Sequence, residues 1–285
     1  MQQKRTQFPS KVILFGEYLV LFGGDALAIP FETFSMQITH QPQVDFKNVL
    51  SDFSNYLLSL SLFENRIDKS LLASFFETNS LASKIPMGYG LGSSGAVVAC
   101  FYEIFIRDKK ESLVEIQQEL ASMEAFFHEK SSGLDPLTSY IQEPILIQQQ
   151  IPKIISLQRD VLSPFWLFDS GIERKAHEAI HIFKELMTQD SFQKVIKEEM
   201  LPINQSIIQK MIEGIDIQHE IKELSQLQFE LFEALIPVSV KEIWQKGLET
   251  NRYYMKLCGA GKGGFFLIYS NDNEPVAGSL RLLYT

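Results

Sequence analysis

The sequence predicts an α+β protein of two domains, and three observations carry that prediction. The first half is led by short apolar strands, the stretch from Arg174 to Gly247 has helical periodicity almost throughout, and the chain then returns to strands around a glycine-rich turn. The change of texture near residue 160 divides the chain into domains 1–160 and 161–285.

In chain order, Lys11 to Phe15 and Ala26 to Pro30 read as strands separated by a turn at Gly23, Gly24 and Asp25, and Thr33 to Thr39 reads as another. Phe53 to Phe63, Leu71 to Phe76, Ala96 to Ile106 and Ser112 to Phe127 carry helix-like apolar spacing. The last has Leu113, Ile116, Leu120, Met123 and Phe127 on one face. Ser131 to Pro136 is rich in turn formers. Pro144 to Gln148, Ile154 to Leu157 and Phe165 to Phe168 are strand candidates. Pro202 and Pro237 are expected to break the long helical region, because proline lacks the amide a helix interior needs. Tyr253 to Leu257 and Phe265 to Tyr269 flank Cys258 to Gly264 and predict an antiparallel hairpin.

Composition narrows the partners. The 285 residues are 45% hydrophobic and 21% charged, the balance of a soluble folded chain with a sizeable core. A formal net charge of −9 argues against a nucleic-acid partner, which calls for a basic patch, so any anion must be held locally. Two cysteines, Cys100 and Cys258, make neither a disulfide framework nor a paired zinc motif, and the 5 histidines show no clustered ligand pattern, which fits a reducing cytoplasm. No apolar run approaches the ~20 residues of a membrane span. The apolar N-terminal stretch contains Glu17 and no small-residue cleavage site follows, so export is not expected. A homodimer is compatible with the sequence but not required by it.

The most informative stretch is Ile85 to Cys100, IPMGYGLGSSGAVVAC. Gly88, Gly90 and Gly92 free the backbone for close approach to a ligand, Ser93 and Ser94 supply hydroxyls, and the apolar run from Ala96 reads as a helix. A loop feeding into a helix leaves N–H groups unpaired at the positive end of the helix dipole, where a phosphate suits. The spacing is neither that of a P-loop nor that of a dinucleotide fingerprint. Taken alone, it reads equally as a tight turn whose Ser93 or Ser94 caps the helix.

Together with two other segments, this loop resembles the small-molecule kinases named for galactokinase, homoserine kinase, mevalonate kinase and phosphomevalonate kinase, the GHMP kinases. Pro9 to Tyr18, with Gly23-Gly24 and Ala26 to Pro30, is similar to the family's first motif. Pro86 to Ala96 is similar to its phosphate-binding motif, and Lys256 to Gly264, KLCGAGKGG, to its third. All three stand in the family's order over nearly the whole chain. The resemblance implies a ribosomal-protein-S5-like N-terminal α/β domain and a ferredoxin-like C-terminal α+β domain, with ATP and substrate in the cleft between. ATP would be held by Gly88, Gly90, Leu91, Gly92, Ser93, Ser94 and Gly95, and the acceptor by Glu17, Tyr18, Arg174, Gly259, Ala260 and Gly261.

The resemblance also implies roles for charged residues. It places a catalytic base at Asp135, in the Ser132-Gly133-Leu134-Asp135 element, and a cation at Lys11 beside it. A carboxylate accepts a hydroxyl proton usefully only within hydrogen-bond reach, while a lysine orients the hydroxyl and stabilises developing charge. Read without the resemblance, Asp135-Pro136 is a turn-initiating pair and Lys11 a solvated strand-end lysine. Glu124 precedes Asp135 at the spacing of a magnesium-binding glutamate in mevalonate kinases. One carboxylate and the Ser94 hydroxyl suffice for Mg²⁺, which keeps water and phosphate oxygens in its remaining positions. On spacing alone, Glu124 and His128 are an ordinary i, i+4 surface pair.

Departures bear on the acceptor. Tyr18 stands where mevalonate kinases have a histidine, and Gly-Glu-Tyr is a phosphomevalonate kinase pattern. Arg174, suited to a carboxylate, is followed by Lys175 and Ala176 where a threonine is expected. Lys262 replaces a glycine of the third motif and Cys258 a threonine; a turn lysine more often faces solvent. The expectation is an ATP- and Mg²⁺-dependent phosphotransferase acting on mevalonate, with phosphomevalonate or another small alcohol as the alternative. A non-catalytic ligand-binding regulator on the same scaffold is the alternative of a different class.

Overall fold

The computed structural model describes residues 5–40, 47–128 and 131–282. In its first part the chain forms β1 (Gln7–Phe15), β2 (Ala26–Thr39), α1 (Lys47–Ser59), α2 (Lys69–Thr78), β3 (Ser80–Ser83), α3 (Ser93–Phe105), α4 (Leu113–Glu124) and α5 (Leu134–Ile141). Then come β4 (Ile145–Gln148), β5 (Ile151–Ile154), β6 (Phe165–Asp169) and the helical run α6 (Ala176–Leu186), α7 (Asp190–Val195), α8 (Leu201–Glu213), α9 (Gln218–Leu231) and α10 (Val238–Thr250). The strands β7 (Tyr254–Leu257), β8 (Phe265–Tyr269) and β9 (Leu280–Arg281) close the order. Among the described residues there are two sheets, one in the order β1-β2-β4-β5 with β3 also paired to β2, the other in the order β7-β8-β6-β9. This is the α+β architecture expected. Within those residues no helix is long and apolar enough to cross a membrane.

By contacts the chain forms two compact units that interleave along the sequence. One takes in the segment ending at Lys11 with Pro30 to Pro86 and Gly92 to Glu143. The other takes in Val12 to Ile29, Met87 to Leu91 and the chain from Pro144 on. In the first unit the apolar helix α3 packs against α4 and α5, burying Phe101, Tyr102 and Phe105 together with Leu120, Met123 and Leu137. In the second, α9 and α10 pack on β7, where the buried Trp244 donates from Nε1 to Ser225 Oγ at 2.9 Å. A cluster of Tyr18, Phe183, Phe192 and Phe232 rings fills the space beneath α6 and α7.

Several elements differ from the sequence reading, each for a physical reason. Ala26 to Pro30 and Thr33 to Thr39 are one strand, β2. Its pairing with β4 covers Ala26–Ala28 and that with β3 covers Met36–Thr39, so neither of these two strands requires an amide of Pro30. The strand expected at Ile154 to Leu157 is instead Ile151–Ile154. It folds back on β4 through Gln149 and Gln150, both with positive φ, and without a glycine or asparagine the tight turn left no signal. Pro202 does not break a helix. It lies at the start of α8, directly after a π-helical turn at Ile196–Met200 that joins α7 to α8 and absorbs the missing proline hydrogen bond. The first long helix begins at Lys47 rather than Phe53, and Ser61–Phe63 is a separate 3-10 turn. Pro237, by contrast, does mark a boundary, standing just before α10.

Candidate active site

The turn-rich element at Ser131 to Pro136 proves to be the entry to α5, with Asp135 in the helix's first turn. A carboxylate there is favoured by the unpaired N–H groups and the helix dipole. Lys11 Nζ lies 3.0 Å from Asp135 Oδ1, with the lysine side chain 4% exposed and the aspartate 29%. The lysine is therefore sunk in the first unit and not solvated, and the aspartate is the exposed member of the pair. Gly95, in the first turn of α3, explains how α5 comes so close. A Cβ there would stand 2.8 Å from the Asp135 carbonyl carbon and 2.8 Å from Pro136 N.

Ser94 does not cap α3. The helix has no side-chain cap, its N-cap Gly92 being left-handed. Ser94 Oγ donates instead to Glu124 Oε1 at 3.1 Å and lies 3.2 Å from His128 Nε2. Ser131 Oγ donates to the other carboxylate oxygen, Glu124 Oε2. Glu124 is buried, and burial first, then the like charge of Asp135, pushes its carboxyl up to about 7 against the opposing pull of the two serine hydroxyls and Lys11. The first unit thus brings together Lys11, Ser94, Glu124 and Asp135, with Gly92, Ser93 and Gly95 in the same turn of chain.

The rest of the predicted set lies in the second unit. Tyr18 adopts positive φ, stacks on Phe183 with centroids 3.9 Å apart and donates from its hydroxyl to the Ala260 carbonyl at 2.7 Å. Burial pushes its phenol above the ordinary range, while the Arg174 guanidinium pulls it down, so the hydroxyl remains a donor. Gly88 accepts from the Arg174 amide at 2.9 Å. Arg174 Nη1 is packed so close to Gly90 and Gly259 that a Cβ would meet it at 2.9 and 2.8 Å respectively. Leu91 is fully buried, which leaves only its backbone for a ligand. Lys262 also has positive φ, and its amide donates to the Leu235 carbonyl at 2.7 Å, beside Gly261.

Glu17 is buried, and Lys256 Nζ donates to its Oε1 at 2.6 Å. Lys256 is the residue to which sequence reasoning assigned no role, although it opens the quoted third motif. The signal available was a lysine inside an otherwise apolar strand, a position where an unpaired charge is costly and a partner is therefore expected.

Residues 58–142 match the family model described as the GHMP kinases N terminal domain. Solved structures match over almost the whole chain. The chain has the GHMP kinase fold. The Methanococcus jannaschii mevalonate kinase is 20% identical with a TM-score of 0.62, over 95% of this chain and 92% of that one. The L. major mevalonate kinase in complex with R-mevalonate is 18% identical with a TM-score of 0.66, over 96% and 89%. The Streptococcus pneumoniae phosphomevalonate kinase in complex with phosphomevalonate and AMPPNP is 14% identical with a TM-score of 0.61, over 94% and 92%. No curated protein sequence matches the chain.

Proposed function

We propose that this chain transfers the γ-phosphoryl group of ATP to the hydroxyl of a small alcohol, with mevalonate as the acceptor. The observation that carries this reading is the Lys11–Asp135 pair at the start of α5, in the same unit as the hydrogen-bonded Ser94 and Glu124. A binding protein has no chemical need for a half-exposed carboxylate beside a buried lysine. Asp135 accepts the hydroxyl proton as that oxygen attacks. Lys11 holds Asp135 and the hydroxyl in register and opposes the charge that develops on the transferred group. The first N–H groups of α3, with Ser93 and Ser94, donate to phosphate oxygens as Gly88, Gly90, Leu91, Gly92 and Gly95 let the loop close on the nucleotide.

Glu124 and Ser94 offer hard oxygen donors, and a buried carboxyl held up to about 7 by burial and by Asp135 is a place short of positive charge. These residues fit Mg²⁺, which when bound would neutralise phosphate charge. Arg174 pairs with the acceptor's carboxylate, flanked by Tyr18 and the turn Gly259, Ala260, Gly261, with Glu17 behind that turn. Cys100 and Cys258 are both buried, and the compartment we propose is a reducing one.

Tyr18 after Glu17, and Lys262 in the third motif, favour phosphomevalonate as the second reading. One experiment separates them: ADP release by the pure protein with Mg·ATP and, in turn, mevalonate, phosphomevalonate, homoserine and galactose. The highest kcat/KM is expected with mevalonate, a higher value with phosphomevalonate reassigns the acceptor, and no release with any of them sinks the kinase reading.

A further inference from the structure

The third motif is pinned from several sides, all within the second unit. The Leu257 amide donates to Gln228 Oε1 at 2.9 Å, Tyr18 holds the Ala260 carbonyl, and the Lys262 amide is tied to Leu235. Beneath these contacts lies a buried ion pair. Lys256 Nζ donates to Glu17 Oε1 at 2.6 Å and to the Leu257 carbonyl at 2.5 Å, and it stands 5.5 Å from the centre of the Phe15 ring. The Gly259 amide also faces the Glu17 carboxyl and favours its charged form. Burial pushes this carboxyl above its ordinary range while Lys256 and the amides pull it down. Such a pair is a costly way to fill a core, since taking both charges out of water offsets much of their attraction.

Gly259 is also one of the two glycines against which the Arg174 head rests. Arg174 Nε is buried and has no hydrogen-bond partner among the described residues. A guanidinium with an unpaired Nε and a flat glycine seat presents the fork that a carboxylate or phosphate oxygen pair engages side-on.

We infer that Glu17 and Lys256 form a positioning pair, which sets the height of Gly259 and through it the seat of Arg174 for the anionic end of the acceptor. Glu17, which the sequence groups with the acceptor's ligands, acts through the turn and not by touching the acceptor. The inference deepens the kinase reading and rests on it. Its signature is a preferential loss of acceptor binding: a turn displaced by a fraction of an ångström misaligns Arg174 and leaves alone the nucleotide contacts that Gly92 to Gly95 make in the first unit.

The test compares wild type, Glu17→Asp and the double variant Glu17→Met/Lys256→Met by steady-state kinetics, thermal unfolding and amide hydrogen exchange. Glu17→Asp keeps the charge and withdraws it by one carbon. It is expected to raise the acceptor KM roughly tenfold or more while ATP KM stays within about twofold, the pattern of lost acceptor binding. The double variant, an apolar filling of the same space, is expected to recover the melting temperature without recovering the acceptor KM. Recovery of both shows that the pair only fills the core and overturns the inference, as does an unchanged acceptor KM in Glu17→Asp. If the double variant does not fold, Glu17→Asp decides alone. If the wild type turns over no alcohol, the kinase reading fails on its own. The pair is then tested by exchange at the Gly259 amide, expected faster in Glu17→Asp, with unchanged exchange overturning it.

Discussion

Lys11 Nζ and Asp135 Oδ1 lie 3.0 Å apart, joining the buried middle of β1 to the first turn of α5. The lysine is the buried partner and the aspartate its ion-pair partner. Asp135→Asn keeps an oxygen acceptor for Lys11 but removes the base. Turnover should fall by about 10²-fold or more with ATP still bound, the size of an ordinary general-base contribution. Calorimetric ATP titration beside the ADP-release assay checks both halves, and undiminished turnover removes Asp135 from the mechanism.

Glu124 predicts a pH dependence of stability. Its folded-state pKa, about 7, stands above the ordinary carboxylate value of 4.5, so between these values the folded protein binds the proton that the unfolded chain releases. The favourable contribution of that proton is fully present below the unfolded value and is lost as pH rises through 7. At roughly 1.4 kcal/mol per unit, wild type should lose on the order of 3 kcal/mol relative to Glu124→Gln between pH 4.5 and 8. Urea unfolding of both proteins at those two pH values measures it. Mg·ATP should protect wild type most at the alkaline end, where the carboxylate is free to bind metal, and Glu124→Gln much less. A difference between the two proteins that does not change with pH would contradict the assignment.

Gly95 predicts a packing effect with a catalytic consequence. Alanine there places its methyl 2.8 Å from the Asp135 backbone, and neither helix can yield without shifting the other. Overpacking of this kind costs about 1–3 kcal/mol, and Asp135 should move with its backbone. Gly95→Ala is therefore expected to lower both melting temperature and kcat, whereas an exposed-site control such as Ser74→Ala lowers neither.

Tyr18 holds an unfavourable positive φ, which persists only because the Phe183 stack and the Ala260 hydrogen bond over-determine it. Tyr18→Phe keeps the stack and deletes the hydroxyl. A loss of about 1 kcal/mol in stability is expected, together with a several-fold rise in acceptor KM at constant ATP KM. Equal changes in both KM values would place the tyrosine's influence elsewhere.

The segments that resemble GHMP kinase motifs were legible from sequence because they are local. Gly88 to Gly95, Ser131 to Asp135 and Lys256 to Gly264 each combine residue types whose backbone freedom and hydroxyl or charge chemistry act within one turn of chain. The strands and helices with strong periodicity, such as α4 and the β7–β8 hairpin, were legible for the same reason. The tight Gln149-Gln150 turn and the proline-tolerant α7–α8 run were not, since in both the backbone adopts a form that neighbouring contacts impose against local preference.

What the sequence by itself determined was an α+β scaffold of two sheets and helices, with a glycine- and serine-rich loop and a short set of charged residues to which the family resemblance assigns roles. Only the tertiary structure decided which charge meets which. It paired Ser94 with Glu124 across 30 positions and Lys256 with Glu17 across 239, sank Lys11 beside Asp135, and drew two interleaved units from one chain. The physical reason is that conformational preference is written into each residue and its neighbours. A buried charge is stable only beside a partner, and the chain can bring that partner from any distance along its length.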